Sequence, residues 1–141
     1  MVKAKDFWEY LCNELDYKFF AGVPCKGLAP LYNKMSPQFM HYIPAVTENI
    51  AIRLVTGATL ASTNAAVLMS AEKMKGLDLV FNTSNHIPLF IIAFGDSKFN
   101  TNKAIYNLEL TDDLEGCLDK AISYLNNKKK SCVLFIGEGT I

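Results

Sequence analysis

The stretch Ile87–Phe94 reads Ile-Pro-Leu-Phe-Ile-Ile-Ala-Phe, with no polar side chain anywhere in its eight residues. That is far too short for a membrane span and ordinary for a strand. Side chains of a strand alternate between the two faces of its sheet, so a strand that is apolar at every position needs cover on both faces. Parallel sheets provide it, because their crossover connections lay helices on each side.

The rest of the chain supplies such crossovers. Phe7, Tyr10, Leu11 and Leu15 keep helical spacing through Asp6–Leu15. Tyr17–Val23 is a short apolar strand ending at Gly22-Val23-Pro24. Gly27–Met35, with Leu28, Leu31 and Tyr32 on one side, predicts a second helix stopped before Pro37, and His41–Val46 a second strand. Thr47 is an N-cap for a helix to about Ala61, in which Ile50, Leu54, Val55 and Ala58 keep the period. Ala65–Met69 reads as a small-residue strand and Lys73–Asn82 as an amphipathic helix. Leu114, Cys117, Leu118, Ala121, Ile122 and Leu125 mark the clearest helix. Asp112 and Glu115 give it a capping-box-like start, and Lys128, Lys129 and Lys130 end it where the helix dipole favours cations. Ser131–Gly137 is a final buried strand, and Gly95–Thr111 is the least regular stretch, expected as a surface connection. Strands alternating with helices predict an α/β fold, a doubly wound parallel sheet flanked by helices, in one domain spanning residues 1–141.

Composition narrows the function classes. Half of the 141 residues are apolar, and 14 basic side chains balance 14 acidic ones. A neutral surface gives no electrostatic footprint for nucleic acid or an anionic membrane. Charges and a Trp interrupt Met1–Leu11, so no signal peptide is expected. Cys12, Cys25, Cys117 and Cys132 have no C-x-x-C spacing, and only two His accompany them, so no zinc pattern is present. The expectation is reduced thiols and a cytoplasmic protein.

In open α/β sheets ligands bind beyond the carboxyl ends of the strands. The loops that qualify are Gly22–Gly27, Thr47–Asn49 and Ser70–Lys75. Glu48 follows a strand and opens a helix, which places its carboxylate near unpaired backbone N–H groups. On the residues alone this is either an acid stabilised by the helix dipole or a functional carboxylate.

Phe20-Ala21-Gly22-Val23-Pro24-Cys25, Leu28, Pro30-Leu31, the strand His41–Val46 running into Glu48, and the helix with Ala51, Leu54, Gly57 and Leu60-Ala61 together resemble the pyrimidine-binding domain of thiamine-diphosphate enzymes. The sulfopyruvate and phosphonopyruvate decarboxylases, in their alpha subunit, are the nearest in pattern. The strand Cys132–Ile136 and the tail Gly139-Thr140-Ile141 extend the resemblance to the end of the chain. It implies a thiamine diphosphate cofactor whose thiazolium loses its C2 proton to the cofactor's own imino group and attacks a 2-oxo acid, which then loses CO2. The matching carboxylate, Glu48, would hydrogen-bond N1′ of the aminopyrimidine and favour the imino tautomer. Gly22, Val23, Pro24 and Cys25 would lie against the pyrimidine, Gly22 by permitting an unusual backbone angle and Pro24 by stiffening the turn, with Ser70 a further cofactor contact. For Gly22–Cys25 the plainer alternative is an ordinary strand-to-helix turn. No His neighbours Cys25 in sequence, which argues against a nucleophilic role.

The resemblance also implies partners. In that superfamily the cofactor lies between two domains, so a diphosphate-binding subunit carrying Mg2+ is expected, in an α2β2-type hetero-oligomer with a 2-oxo acid decarboxylase (lyase) activity. The helix after Glu48, through Ala51, Gly57, Ala58 and Ala61, and the loop after Met69 would face that partner. Carboligation or acyl transfer shares the same early steps, and a scaffold subunit that has lost the cofactor is a third reading. Relatives carry a Gly-rich third loop where this chain has Ser70-Ala71-Glu72-Lys73-Met74-Lys75-Gly76. Lys73 and Lys75 are either partners for an anionic substrate or a solvated helix start. Gly95-Asp96-Ser97 and Asn126-Asn127 mimic the family's metal-binding Gly-Asp-Gly…Asn-Asn motif, but no helix is expected directly after the first, and the second ends one. No metal site is expected in this chain. His41 and His86 each begin a strand, as half-buried structural residues or as acid–base groups.

Overall fold

A computed structural model describes residues 1–77, 87–100, 102 and 104–141. Six parallel strands form one sheet in the order β2-β1-β3-β4-β6-β5, where β1 is Phe19–Gly22, β2 His41–Pro44, β3 Ala65–Ser70, β4 Phe90–Phe94, β5 Tyr106–Glu109 and β6 Cys132–Ile136. Helix α1 (Ala4–Trp8) widens into a π-helical stretch, Glu9–Glu14. A 3-10 turn (Lys26–Leu28) leads into the single-turn helix α2 (Ala29–Tyr32); α3 spans Glu48–Leu60, and α4 Leu114–Ser123.

The sheet is covered on both faces, as the apolar run requires. Phe20, Ala66, Leu68, Phe90, Ile92, Leu134 and Ile136 pack with α1, α2 and α4 on one side. Their neighbours Ala21, Val67, Met69, Ile91, Ala93, Val133 and Phe135 pack with α3 on the other. The alternation follows from the two-residue period of a strand, and both sets are apolar because both faces are inside. Chain order reverses at β1: the path goes out to the edge strand β2 and returns through α3 to β3 on the other side. The crevice at the carboxyl ends of β1 and β3 is therefore a topological switch point.

Several expectations shift. Residues 95–111 are more than a connection: they hold β5, paired with β6 from Tyr106↔Cys132 to Glu109↔Phe135. Its four residues alternate between half-buried and exposed, an edge pattern too short to stand out. The helix expected over Gly27–Met35 is confined to one 3-10 and one α turn, and Asn33 and Lys34 leave it well before Pro37. The third loop folds as a 3-10 segment, Ala71–Gly76, with Ala71 and Met74 buried, ending at its C-cap Leu77, and residues 78–82 of the helix expected through Asn82 lie outside the described residues. Helix α4 is capped by Asp113, whose carboxylate accepts from the Gly116 N–H at 3.2 Å, while Asp112 instead pairs with the N-terminal amine at 2.9 Å. Among the described residues no helix is long and apolar enough to cross a membrane.

Candidate functional site

Parallel strands in the order β2-β1-β3 bring the ends of three strands side by side, so residues 22–27, 47–49 and 70–76 all emerge at one end of the sheet. The expected grouping of loops is thus present in the fold. Glu48 is the first residue of α3, half-buried, and directly follows the extended N-cap Thr47, whose hydroxyl accepts from the Ile50 N–H at 3.3 Å. The N-cap leaves the Glu48 carboxylate beside the positive end of a helix more than three turns long.

The first loop is tied down from two sides. The Gly22 carbonyl accepts from the Ala45 N–H at 2.8 Å and from the Tyr42 hydroxyl at 3.4 Å. Gly22 is not there for its backbone angle: its φ is not in the left-handed region, which among glycines only Gly95 and Gly139 occupy in the described residues. A Cβ on Gly22 would sit 1.9 Å from the Leu68 carbonyl oxygen, so absence of a side chain is what lets the end of β1 lie against β3. Val23 is half-buried and Pro24 exposed. Cys25 is half-buried, and burial pushes its thiol up; the charge of Glu48 acts in the same direction and places the two groups within electrostatic reach.

Behind the loop stand Tyr32 and Tyr42, ring centroids 5.6 Å apart. Burial raises both hydroxyls above the usual tyrosine value, that of Tyr32 the further. The Tyr32 oxygen faces Cys25 and Tyr42 but makes no hydrogen bond of acceptable geometry. Neither tyrosine was singled out as more than core by pattern, because helical spacing and a strand position explain them both. Beside this pair an apolar groove of about 850 Å³ runs along β2 between Pro24, Met35, Met40 and Pro44.

The remaining candidates separate. Ser70 ends β3, half-buried, opposite Phe94 in the register. Glu72, Lys73 and Lys75 are exposed, and Gly76 meets nothing that a Cβ would disturb. His41 lies exposed on the edge strand rather than half-buried, since β2 has no strand beyond it to cover that residue; His86 lies outside the described residues. A short 3-10 helix, Ser97–Phe99, does follow Gly95-Asp96, capped by Asp96, contrary to expectation. Asn126 and Asn127 sit in the π-helical end of α4, before β6, and so at the opposite end of the sheet from Gly95. The two halves of the motif-like pair are therefore far apart. Among the described residues no three His, Cys, Asp or Glu side chains gather as a metal site.

The surface around Glu48 is unusually apolar. Val46 is 87% exposed, Ile50 45% and Ile43 41%. Leu54, one turn beyond Ile50, is exposed as well, and Gly57 and Ala61 continue that outer side of α3. Of the small residues expected to face a partner, Ala51 instead lies fully buried against its own sheet, and Ala58 packs against the same core.

No family model matches the chain, and no curated protein matches it. Among solved structures it is similar to 2-oxoglutarate:ferredoxin oxidoreductase from Magnetococcus marinus, solved with 2-oxoglutarate, coenzyme A and succinyl-CoA bound. The TM-score is 0.66 at 16% identity, over 99% of this chain and 29% of that one. The likeness establishes the α/β fold.

Proposed function

We propose that this chain is the pyrimidine-binding subunit of a heteromeric thiamine-diphosphate-dependent enzyme acting on a 2-oxo acid. The observation that carries the reading is Glu48. Its carboxylate opens α3 at a topological switch point, within reach of the Gly22–Cys25 loop, in a rim of exposed apolar side chains. The fold it shares with part of a 2-oxo acid enzyme adds support.

The residues present suit the aminopyrimidine end of the cofactor. A carboxylate accepts from a protonated ring nitrogen, and Glu48 presents one at the first residue of α3. Gly22 leaves the end of β1 flush with β3, and Pro24 fixes the backbone beyond it, so Val23, Pro24 and Cys25 offer one rigid wall. Ser70, at the end of the neighbouring strand, is a further contact. When bound, thiamine diphosphate supplies a carbon nucleophile that holds the charge left when a 2-oxo acid loses CO2. Glu48 polarises the aminopyrimidine, and the loop orients it. The diphosphate and its Mg2+ belong to a separate subunit, which would also cover Val46, Ile50 and Leu54; an α2β2 assembly satisfies both chains.

Within this reading the chemistry is decarboxylation, as in the sulfopyruvate and phosphonopyruvate decarboxylases. Acyl transfer is a second reading, favoured by the coenzyme A and succinyl-CoA in the similar structure. A scaffold subunit is the alternative outside enzymology.

Calorimetric titration of thiamine diphosphate and Mg2+ into this chain mixed with its diphosphate-binding partner tests the proposal. Binding should need both chains, and CO2 should be released from a 2-oxo acid. Glu48→Gln should leave assembly intact and lower turnover by about a hundredfold or more, the scale of a lost proton-transfer partner. Stable pairing of the two chains without cofactor uptake would sink the enzyme reading and leave the scaffold. Release of CO2 only when coenzyme A and an electron acceptor are added would favour acyl transfer.

A further inference from the structure

We infer that Tyr42, with Tyr32 packed against its ring, is a positioning residue that seats the Gly22–Cys25 loop from behind. Tyr42 reaches across from the edge strand and donates to the Gly22 carbonyl at 3.4 Å, the same oxygen that takes the Ala45 N–H at 2.8 Å. The backbone bond holds the end of β1, and the hydroxyl adds a second hold just where the chain turns out of the sheet. Tyr32, on α2, stacks obliquely on Tyr42 and aims a buried hydroxyl at Cys25, the last residue of that turn. Phenylalanine at position 42 would keep the ring contact with Tyr32 and lose only the hydroxyl, so that hydroxyl is what adds to the hold on the loop at Gly22. The pair thereby sets the height of the wall formed by Val23, Pro24 and Cys25. That this wall faces a cofactor rests on the function proposed above; the seating of the loop does not.

The chain carries its own reporter. Cys12, Cys117 and Cys132 are buried, and Cys25 alone of the four is half-exposed, so alkylation of the native protein reads the loop. Iodoacetamide labelling of the full chain, quantified by mass spectrometry at each cysteine, should be faster at Cys25 in Tyr42→Phe by about fivefold, the effect of one lost hydrogen bond on local opening. Tyr32→Phe, which keeps the ring contact and removes no hydrogen bond, should leave labelling at Cys25 within about twofold of wild type. The rates at Cys12, Cys117 and Cys132 should not change. A rise of less than about threefold at Cys25 in Tyr42→Phe, or an equal rise at the other three thiols, overturns the inference, since the latter is global loosening. Labelling of the wild-type chain is then repeated with its partner, thiamine diphosphate and Mg2+. Failure of these to protect Cys25 counts against the proposed cofactor site, while the rates in the free chain decide the tyrosines independently.

Discussion

Gly22 shows how one missing side chain can be demanded by a neighbouring strand instead of by its own backbone. Its register partner on β3 is Leu68, and a Cβ would be driven to 1.9 Å from that residue's carbonyl oxygen. Backbone cannot swing aside as a side-chain tip can, so β1 and β3 would have to separate. Gly22→Ala should cost about 3 kcal/mol, the upper end for overpacking, and appear as a lower urea midpoint with an unchanged slope. Gly95 differs: its φ of 134° excludes other residues on conformational grounds alone. Resemblance pointed to Gly22 for backbone freedom; the reason is contact across the sheet. That reason is invisible in sequence, because it belongs to the register of two strands separated by more than forty residues.

Helix α4 and its continuation carry the element-scale lesson. The periodic apolar positions made this helix the clearest in the chain, and Cys117, Leu118, Ala121 and Leu125 are buried along it. The spacing points to Asp112 where the structure uses Asp113, since two adjacent aspartates are equivalent to a spacing rule. What separates them is where the helix starts: with Leu114 its first residue, Asp113 stands at the N-cap, and Asp112 pairs with the N-terminal amine. At the other end Lys129 takes the left-handed conformation, φ 56°, in place of the usual glycine. Lys129→Gly should raise stability by about 1 kcal/mol by relieving the Cβ clash, lifting the thermal midpoint by about 4 °C. A fall would mean that the lysine side chain itself holds this turn. Strand β5 is not legible in the sequence because an edge strand of four residues shows too little periodicity to be separated from a loop.

For the whole molecule the consequence of a sheet covered on both faces is a set of titratable groups in the core. Burial pushes the Cys132 thiol from 9.0 to about 12 and the Tyr17 hydroxyl from 10.0 to about 12. Cys12 rises to about 11 for the same reason, with Lys18 opposing. The folded protein holds these protons where the unfolded chain releases them. Unfolding is therefore increasingly favoured as pH rises: the stability is complete below about pH 9 and declines progressively towards about pH 12. Urea midpoints measured across that window should fall steadily, and Cys132→Ala should start lower but decline less steeply. A flat profile would show that water reaches these groups in the folded state. The opposite surface property, exposed Val46, Ile50 and Leu54 around Glu48, is also a whole-molecule matter, since α3 is apolar on its sheet side and on part of its outer side.

By itself the sequence determined the class of fold, because a strand apolar at every position can be satisfied only between two layers of helices, and periodicity is local enough to be read along one chain. It also determined that Glu48 begins a helix after Thr47, since capping depends on residues four or fewer apart. Tertiary structure decided the rest. Strand order set the three loops side by side; packing turned Ala51 inward and left Ile50 and Leu54 outside; and the edge position of β2 brought Tyr42 under the Gly22 carbonyl. Each of these depends on contacts between segments distant in the chain, and no local pattern carries that information.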